Sequence, residues 1–191
     1  MFAGHFGLAA GVKAKAPELP LWVLMVSAQL LDVAFIPMVV AGKESMDFTQ
    51  HGEGYGKAII HADYTHSLLG ALLIAIIAGV ICEKIWGARA GWVAGGVAFS
   101  HWVLDLIVHR ADMPLLPGNW GDFPLLGFGA WRSEMLSAGM ELLLLSTGFV
   151  MYVRYAFRKA GSEKRKTALL TSVILGIVLA GLLATDVSGM L

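Results

Sequence analysis

Residues 58–85 read AIIHADYTHSLLGALLIAIIAGVICEKI, and this segment gives the clearest indication of the fold class. From Ser67 to Cys82 it carries no charged side chain, and about 20 mainly apolar residues are enough for a helix to cross the hydrocarbon core of a bilayer. The whole chain has this character, because 57% of its 191 residues are hydrophobic and 15% are charged. A soluble domain has about 25% charged residues, and a soluble globule of this size could not bury so much apolar surface. The composition predicts a polytopic membrane protein.

The apolar segments predict an all-α fold, a polytopic helical bundle that forms a single membrane domain over residues 1–191. We expect helices at residues 2–15, 19–41, 58–85, 90–109, 134–156 and 167–188. The last five are long enough to be transmembrane helices, whereas a helix over residues 2–15 extends only about 20 Å. This short N-terminal helix is either a spanning or a re-entrant segment.

The positive charges are divided unequally between the two sides of these helices. Ten lie on one side, namely Lys13, Lys15, Lys84, Arg89, Arg154, Arg158, Lys159, Lys164, Arg165 and Lys166, and four on the other, namely Lys43, Lys57, Arg110 and Arg132. Cytoplasmic connections carry the excess of Lys and Arg, so the first side is predicted to be cytoplasmic. The equal totals of 14 basic and 14 acidic residues argue against a nucleic-acid partner, which requires a basic surface.

The outward connection at residues 110–131 is long for a loop without secondary structure. It carries Pro114, Pro117, Trp120 and Pro124. A loop of this kind is either a lid over a binding site or an aromatic segment that lies at the membrane interface.

Ionisable residues inside the predicted spans concentrate at one depth, in the outer halves of four helices. Such residues are costly in a membrane and are usually functional. His101, Asp105 and His109 are spaced i, i+4 and i+8, so they form one stripe along a helix. An imidazole and a carboxylate four residues apart can bind one divalent metal ion. Asp32 and His66 are predicted at the same depth.

Further residues can join this group. His61 is five residues from His66 and does not share its helix face, but it could converge with His66 from the helix start or the preceding loop. Thr65 could support the His66 ring by a hydrogen bond. His5 reaches about the depth of Asp32 if the N-terminal helix rises from the cytoplasmic turn.

Three motifs surround these residues: His61-Ala-Asp-Tyr-Thr-His-Ser67, Ser100-His-Trp-Val-Leu-Asp105, and its continuation Leu106-Ile-Val-His-Arg-Ala-Asp-Met-Pro-Leu115. Together they resemble the bacterial membrane-bound metal-dependent hydrolase family, which comprises LexA-regulated inner-membrane proteins and their uncharacterised relatives. His5 and Asp32 match further positions of that pattern, although Leu31-Asp32-Val33-Ala34 keeps one acid where the family has Pro-Asp-x-Asp. The resemblance implies an integral protein of the bacterial inner (plasma) membrane, a metal ion and hydrolase activity, but no particular substrate.

Residue chemistry and resemblance together assign candidate roles. The expected metal ligands are His66, His101, Asp105, Asp32, His61 and His5. The candidate catalytic residues are Asp63 and Glu141, and the residues expected to support ligands or contact substrate are His109, Arg110, Asp112 and Glu134. These nitrogen and oxygen donors suit zinc, with manganese and iron as alternatives. A site near the headgroups on the extracytoplasmic face predicts membrane lipids as partners and a lipid or lipid-linked phosphoester or amide as substrate.

Other functions stay open at this point, and so does enzymatic activity itself. A metal-ion or proton transporter or channel would use the cluster as a path, but toward the cytoplasmic side only Ser27, Gln29 and Ser100 continue it, near mid-depth. A haem protein would need two facing histidines, such as His66 and His101. A purely structural subunit is the third alternative, and the number of clustered ionisable groups argues against it.

Overall fold

A computed structural model describes residues 1–47 and 59–188 of the chain. Within them the chain forms seven α-helices, two short strands and two short 3-10 turns. The helices are α1 (Phe2–Lys13), α2 (Leu21–Ala28), α3 (Leu30–Val40), α4 (Leu68–Trp86), α5 (Ala88–Val108), α6 (Glu134–Ala160) and α7 (Arg165–Ser188). The strands β1 (Ser45–Asp47) and β2 (Ile59–His61) pair antiparallel, and the 3-10 turns, Pro117–Asn119 and Ala130–Arg132, lie between α5 and α6.

Four helices, α4 to α7, are long and apolar enough to cross a membrane. The pair α2 and α3 qualifies as a fifth span, bent by 51° at its break. Large apolar side chains such as Leu73, Ile76 and Ile177 are exposed on these helices, as expected where a helix faces lipid. The predicted fold class, an all-α polytopic membrane bundle with five long helices and a short N-terminal one, is therefore confirmed.

The short helix α1 lies inside the bundle, because much of its surface is buried against other helices. Its 12 residues extend only about 18 Å. It is rich in Gly and Ala and packs against α2, α5, α6 and α7. Small residues let backbones approach closely, and this close packing holds helices together where lipid removes the hydrophobic driving force. α1 thereby carries His5 into the interior.

The contact between α1 and α6 depends on Gly7 and Gly148. A Cβ atom at Gly148 would lie 2.7 Å from the carbonyl carbon of Gly7, and a Cβ atom at Gly7 would lie 2.7 Å from the backbone nitrogen of Leu145. Both distances are shorter than any van der Waals contact. A side chain at either position would therefore push α1 away from α6.

Helix α4 begins at Leu68, later than the span predicted from residue 58. The residues before Leu68 form hydrogen bonds with another part of the chain instead of with the helix. Strand β2 pairs with β1, and two backbone amides of the turn after β2 donate to the Glu44 carboxylate. Ser67 then caps α4 with its side chain. These bonds hold His66 in a turn before the helix rather than in its first turns.

The span predicted at residues 19–41 is broken at Gln29, where φ is −112° and ψ is 10°. The side chain of Gln29 donates to the Phe2 carbonyl oxygen at 3.0 Å, and the Ala28 carbonyl oxygen lies 2.7 Å from His101 Nδ1. Polar backbone groups in a membrane need such internal partners. α1 and α5 therefore stabilise the bend from both sides.

The basic residues at one end of the bundle join three of its turns. Arg89 donates to the Lys15 carbonyl oxygen at 2.8 Å and lies 3.4 Å from a carboxylate oxygen of Glu18. Lys13 lies over the ring of Tyr155, 5.6 Å from its centre. The C-terminal ends of α1 and α6 and the α4–α5 turn therefore lie together, opposite to the end that carries the ionisable cluster.

We expect Gly148→Ala to lower the melting temperature of the purified protein in detergent. The added methyl group would overlap the backbone of Gly7, and overpacking of this kind costs about 1–3 kcal/mol. Gly139→Ala, in the same helix but with open space at its Cβ position, is the matched control and should be neutral or slightly stabilising. Equal melting temperatures for the two variants would contradict the close contact between α1 and α6.

Candidate metal centre

Five of the six predicted metal ligands lie together, and we call them the His–Asp cluster: His5, Asp32, His66, His101 and Asp105. On α5, Asp105 Oδ2 lies 3.1 Å from His101 Nε2. His66 Nε2 lies 3.4 Å from Asp32 Oδ1 and 3.7 Å from Asp105 Oδ2, and His101 Nε2 lies 3.6 Å from Asp32 Oδ1. His5 Nε2 lies 3.2 Å from Asp105 Oδ1. Helices α1, α3 and α5 and the turn before α4 thus converge on one point.

The cluster is shielded from its surroundings on all sides but one. The side chain of Asp32 is 36% exposed, whereas the other four residues of the cluster are at most 5% exposed. Any small molecule that reaches the cluster must therefore approach past Asp32.

The His101 ring is oriented by the break between α2 and α3. Its Nδ1 lies 2.7 Å from the carbonyl oxygen of Ala28. Because a carbonyl can only accept a hydrogen bond, Nδ1 carries a proton. Nε2 has no hydrogen-bond partner among the described residues. This nitrogen faces the carboxylates of the cluster, with Asp105 Oδ2 at 3.1 Å.

The His66 ring is oriented through two hydrogen bonds in series. The Thr65 hydroxyl lies 3.0 Å from His66 Nδ1 and 3.0 Å from each carboxylate oxygen of Glu44. The hydroxyl donates its one proton to Glu44, so its oxygen accepts the proton of His66 Nδ1. The predicted support of His66 by Thr65 is present, and Nε2 of His66 again points into the cluster.

His109 repeats this arrangement at the edge of the cluster. Its Nδ1 lies 3.0 Å from Asp112 Oδ1, and its Nε2 lies 3.9 Å from Asp105 Oδ2. Its ring also packs against Trp131, with 4.1 Å between ring centres. The carboxylate of Asp112 accepts the Nδ1 proton, which leaves Nε2 directed at the same space as the other two rings.

His5 lies behind His101, with the two rings parallel within 9° and their centres 3.8 Å apart. The start of α1 is held by two buried carboxylates, because amides of its first turn donate to Asp186 at 2.8 Å and to Glu141 at 3.4 Å. Acidic groups at this position satisfy free N–H groups and complement the positive end of the helix dipole. The two carboxylates fix the position from which His5 reaches Asp105.

The donor atoms of the cluster fit a divalent metal ion. Donors about 2.0–2.1 Å from zinc lie about 3.3 Å from one another in a tetrahedral site. The four nitrogen-to-oxygen distances from His66 and His101 to Asp32 and Asp105 range from 3.1 to 3.7 Å. Two overlapping groups within the described residues could hold an ion: His5, His101 and Asp105, and Asp32, His66 and His101. The carboxylates of Asp32 and Asp105 approach the same nitrogens, and a cation between the donor atoms would offset the repulsion of the two negative charges.

A cavity of about 370 Å³ lies beside the cluster. Its polar lining comes from His5, Asp32, His66, Asp105, His109 and Asp186, and its apolar lining from Met1, Phe2, Phe35, Ile36, Met46, Ile60 and Trp131. Specific ligand sites commonly combine apolar walls with a few convergent polar groups. The cavity can therefore accept an amphiphilic molecule whose polar part contacts the cluster.

Other predicted site residues lie outside the cluster. His61 is exposed on β2, and neither it nor Asp63 lines the cavity. Glu134 is exposed at the first turn of α6. Glu141 is fully buried but contacts the start of α1 instead of the cavity. The guanidinium of Arg110 lies over the ring of Trp131, 5.9 Å from the ring centre. Strand pairing explains the position of His61, because β2 directs this residue away from the turn that holds His66.

Three residues of the site were not predicted as part of it: Glu44, Asp186 and Trp131. Asp186 is the one ionisable residue of the last apolar segment, so the rule that such residues are functional could have found it. Glu44 lies in a polar connection between two apolar segments, where carboxylates are common, so the sequence does not indicate that it has a role in the site. Trp131 resembles an ordinary interfacial aromatic residue.

Comparison with known proteins gives one family. The family model described as YdjM inner membrane protein matches residues 2–187. Among curated proteins and solved structures, nothing matches. The match covers nearly the whole chain, including every residue of the His–Asp cluster.

We expect Glu44→Ala to destabilise the protein by about 1–3 kcal/mol, because it leaves two backbone amides and the Thr65 hydroxyl without their acceptor. Glu44→Gln keeps one acceptor oxygen and should recover part of this loss. The exposed Glu134→Ala is the control, with an expected change within about 0.5 kcal/mol. Thermal unfolding in detergent measures all three, and a Glu44→Ala protein as stable as the control would refute the role given to Glu44.

Proposed function

The chain belongs to the YdjM inner membrane protein family and is an integral protein of the inner membrane. We propose that it is a metal-dependent hydrolase. Its active site is the His–Asp cluster with the adjoining cavity, in the outer half of the bilayer. Its substrate is a lipid or a lipid-linked phosphoester, with an amide of the same kind as the alternative.

One observation carries this proposal. The rings of His66, His101 and His109 each have Nδ1 bound to an acceptor, so that three Nε2 atoms converge on the carboxylates of Asp32 and Asp105. Metal-binding histidines are typically oriented in this way, by a carboxylate, a backbone carbonyl or another acceptor at the second nitrogen.

The residues that would hold the ion are Asp32, His66, His101 and Asp105. His5 donates from Nε2 to Asp105 Oδ1 in this arrangement and keeps that carboxylate turned toward the other ligands. A divalent ion bound here supplies Lewis-acid polarisation of the substrate oxygen and a water that is acidic enough to act as nucleophile near neutral pH. Nitrogen and oxygen donors without thiolate suit zinc, manganese or iron.

His109 is our candidate for proton transfer. It lines the cavity, its Nε2 is directed toward the cluster, and Asp112 holds its Nδ1 proton. A histidine oriented by a carboxylate in this way can take a proton at Nε2 and return it to a leaving group. Asp63 and Glu141, the residues first expected in this role, do not line the cavity. We therefore assign Glu141 to the support of α1.

The size of the cavity favours a substrate that enters with its polar part only. A water molecule takes up about 30 Å³ in the liquid, so the space of about 370 Å³ holds about a dozen small groups. A complete diacyl lipid is far larger, and its chains would stay in the bilayer. Apolar side chains such as Phe35 and Ile36 line the side past which the chains would extend. Arg110 does not line the cavity, but its guanidinium lies 5.9 Å from the centre of the Trp131 ring, which does. A cation at this edge favours a phosphoester over an amide, because guanidinium groups bind phosphate well.

The distribution of positive charge supports an extracytoplasmic site. The excess of Lys and Arg at the end of the bundle opposite to the cluster indicates that this basic end faces the cytoplasm. Substrates of the outer leaflet would then have direct access to the cavity.

The surroundings of the cluster favour a hydrolase over a transporter or a haem protein. Between the cluster and the basic end lies an apolar core that includes Leu24, Ala94 and Val97, all at most 3% exposed. A path for ions would need polar groups there. The carboxylates within 3.7 Å of His66 Nε2 and His101 Nε2 occupy the space that a haem plane between these rings would need.

We expect the purified protein to contain about one equivalent of zinc, manganese or iron, and His101→Ala to lose it. The matched control is His61→Ala, which removes an exposed histidine outside the cluster. Elemental analysis of the three proteins in detergent, before and after incubation with each metal, is the measurement. Metal that stays with His101→Ala, or that both variants lose equally, would overturn the assigned ligands.

We expect His109→Gln to lower the turnover of lipid phosphoesters by about 10²–10⁴-fold without loss of metal, because proton transfer contributes this much to such reactions. His61→Gln should retain full turnover. Wild type and both variants are compared on phosphomonoester, phosphodiester and amide lipids in detergent micelles. An unchanged rate in a metal-loaded His109→Gln protein would remove His109 from the reaction.

A further inference from the structure

A second cavity lies at the opposite end of the bundle, and the proposed hydrolase site makes no use of it. It has a volume of about 480 Å³ and lies between the C-terminal ends of α1 and α6. Four basic side chains line it, Lys15, Arg154, Arg158 and Lys159, with Tyr155 between them. No acidic residue contributes to its lining in the described part of the chain.

The wall of this cavity on the α1 side is held in a fixed conformation. Lys13 donates to the carbonyl oxygens of Pro17 and Leu19, which closes the turn after α1. Arg89 donates to the carbonyl oxygen of Lys15 at 2.8 Å. The backbone that presents Lys15 is therefore ordered from both sides.

The four cations of the cavity have no counter-charge in the part of the chain that the structure describes. Among residues 1–47 and 59–188, no ion pair involves Lys15, Arg154, Arg158 or Lys159. Arg154 and Arg158 are four residues apart on α6, where like charges face each other and repel. An anion in the cavity would offset this repulsion.

The position of the cavity along α6 indicates where this anion comes from. Helix α6 has 27 residues and extends about 40 Å, longer than the hydrocarbon core of about 30 Å. With Glu134 near one membrane surface, Arg154 and Arg158 lie about 30–36 Å along the helix, at the level of the opposite headgroups. Basic pockets between membrane helices on the cytoplasmic side are suited to lipid headgroups.

We propose that this basic cavity binds the phosphate headgroup of an anionic phospholipid of the cytoplasmic leaflet. Arg154 and Arg158 contact the phosphate oxygens, because planar guanidinium groups can donate two hydrogen bonds to one phosphate. Lys15 contributes from the turn after α1, and the lipid would thereby join the ends of α1 and α6. This site is separate from the proposed active site and does not depend on hydrolase activity.

The test is a titration of the purified full chain in neutral detergent with phosphatidylglycerol or phosphatidylcholine, with bound lipid counted by native mass spectrometry. We expect phosphatidylglycerol to bind at lower concentration than phosphatidylcholine. The variant Arg154→Gln/Arg158→Gln should weaken phosphatidylglycerol binding about tenfold or more, because each basic residue near an anionic surface adds to the attraction.

The matched control is Lys164→Gln/Lys166→Gln, which removes two positive charges from the same connection but outside the cavity. It should change lipid binding by less than about threefold. If both double variants lost phosphatidylglycerol binding to the same extent, general surface charge would explain the binding, and the proposed site would be overturned. Equal binding of the two lipids, or displacement of the lipid by millimolar inorganic phosphate, would also overturn it.

Two further readouts keep the result independent of folding and of the active site. Arg154 and Arg158 are exposed, so the double variant should keep the melting temperature of the lipid-free protein and its metal content. If that variant does not fold, Arg158→Gln alone is compared with Lys166→Gln in the same titration. Failure of this site would leave the metal content of the protein unchanged, whereas failure of the proposed function would not affect lipid binding here.

Discussion

Backbone N–H and C=O groups that the bundle encloses need hydrogen-bond partners within the protein, and the architecture depends on this constraint. The break at Gln29 is possible because His101 donates a hydrogen bond to the Ala28 carbonyl oxygen, and because the Phe2 carbonyl oxygen in the first turn of α1 accepts one from the Gln29 side chain. The late start of α4 is possible because Glu44 accepts the backbone amides before it. Irregular backbone therefore occurs where the His–Asp cluster needs it, and the same hydrogen bonds orient the ligand rings.

Helix α1 forms hydrogen bonds of this kind with several other elements of the bundle. It is too short to span and too deeply buried to face lipid, so its free N–H groups are matched by Asp186 and Glu141 from α7 and α6. Both carboxylates are nearly or fully buried. A negative charge in such surroundings is costly unless it accepts hydrogen bonds, and the start of a helix provides several donors with a positive dipole end. The two acids therefore have a structural reason to lie where they do.

Most of the fold and much of the site could be predicted from the sequence. Apolar length and charge are strong signals in a membrane protein, and the i, i+4 spacing of His101 and Asp105 survives in the structure because α5 is regular. The failures occur where the backbone leaves the helix. Hydropathy cannot show that residues 59–61 pair with β1, and this pairing separates His61 from His66. Glu44 could not be recognised, because its role arises only after the chain folds back.

The two ends of the molecule are mechanically related through α1. His5 lies near the start of α1 and Lys15 lies in the turn that follows its end, so this short helix and its turn contribute to the cluster on one side and to the basic cavity on the other. The close backbone contact at Gly7 and Gly148 locks this element against α6, which also lines the basic cavity. Glycine at these positions removes the freedom of α1 to tilt or slide. The position of the cluster along the bundle is therefore set by the same helix pair whose far ends carry the positive charges of the basic cavity.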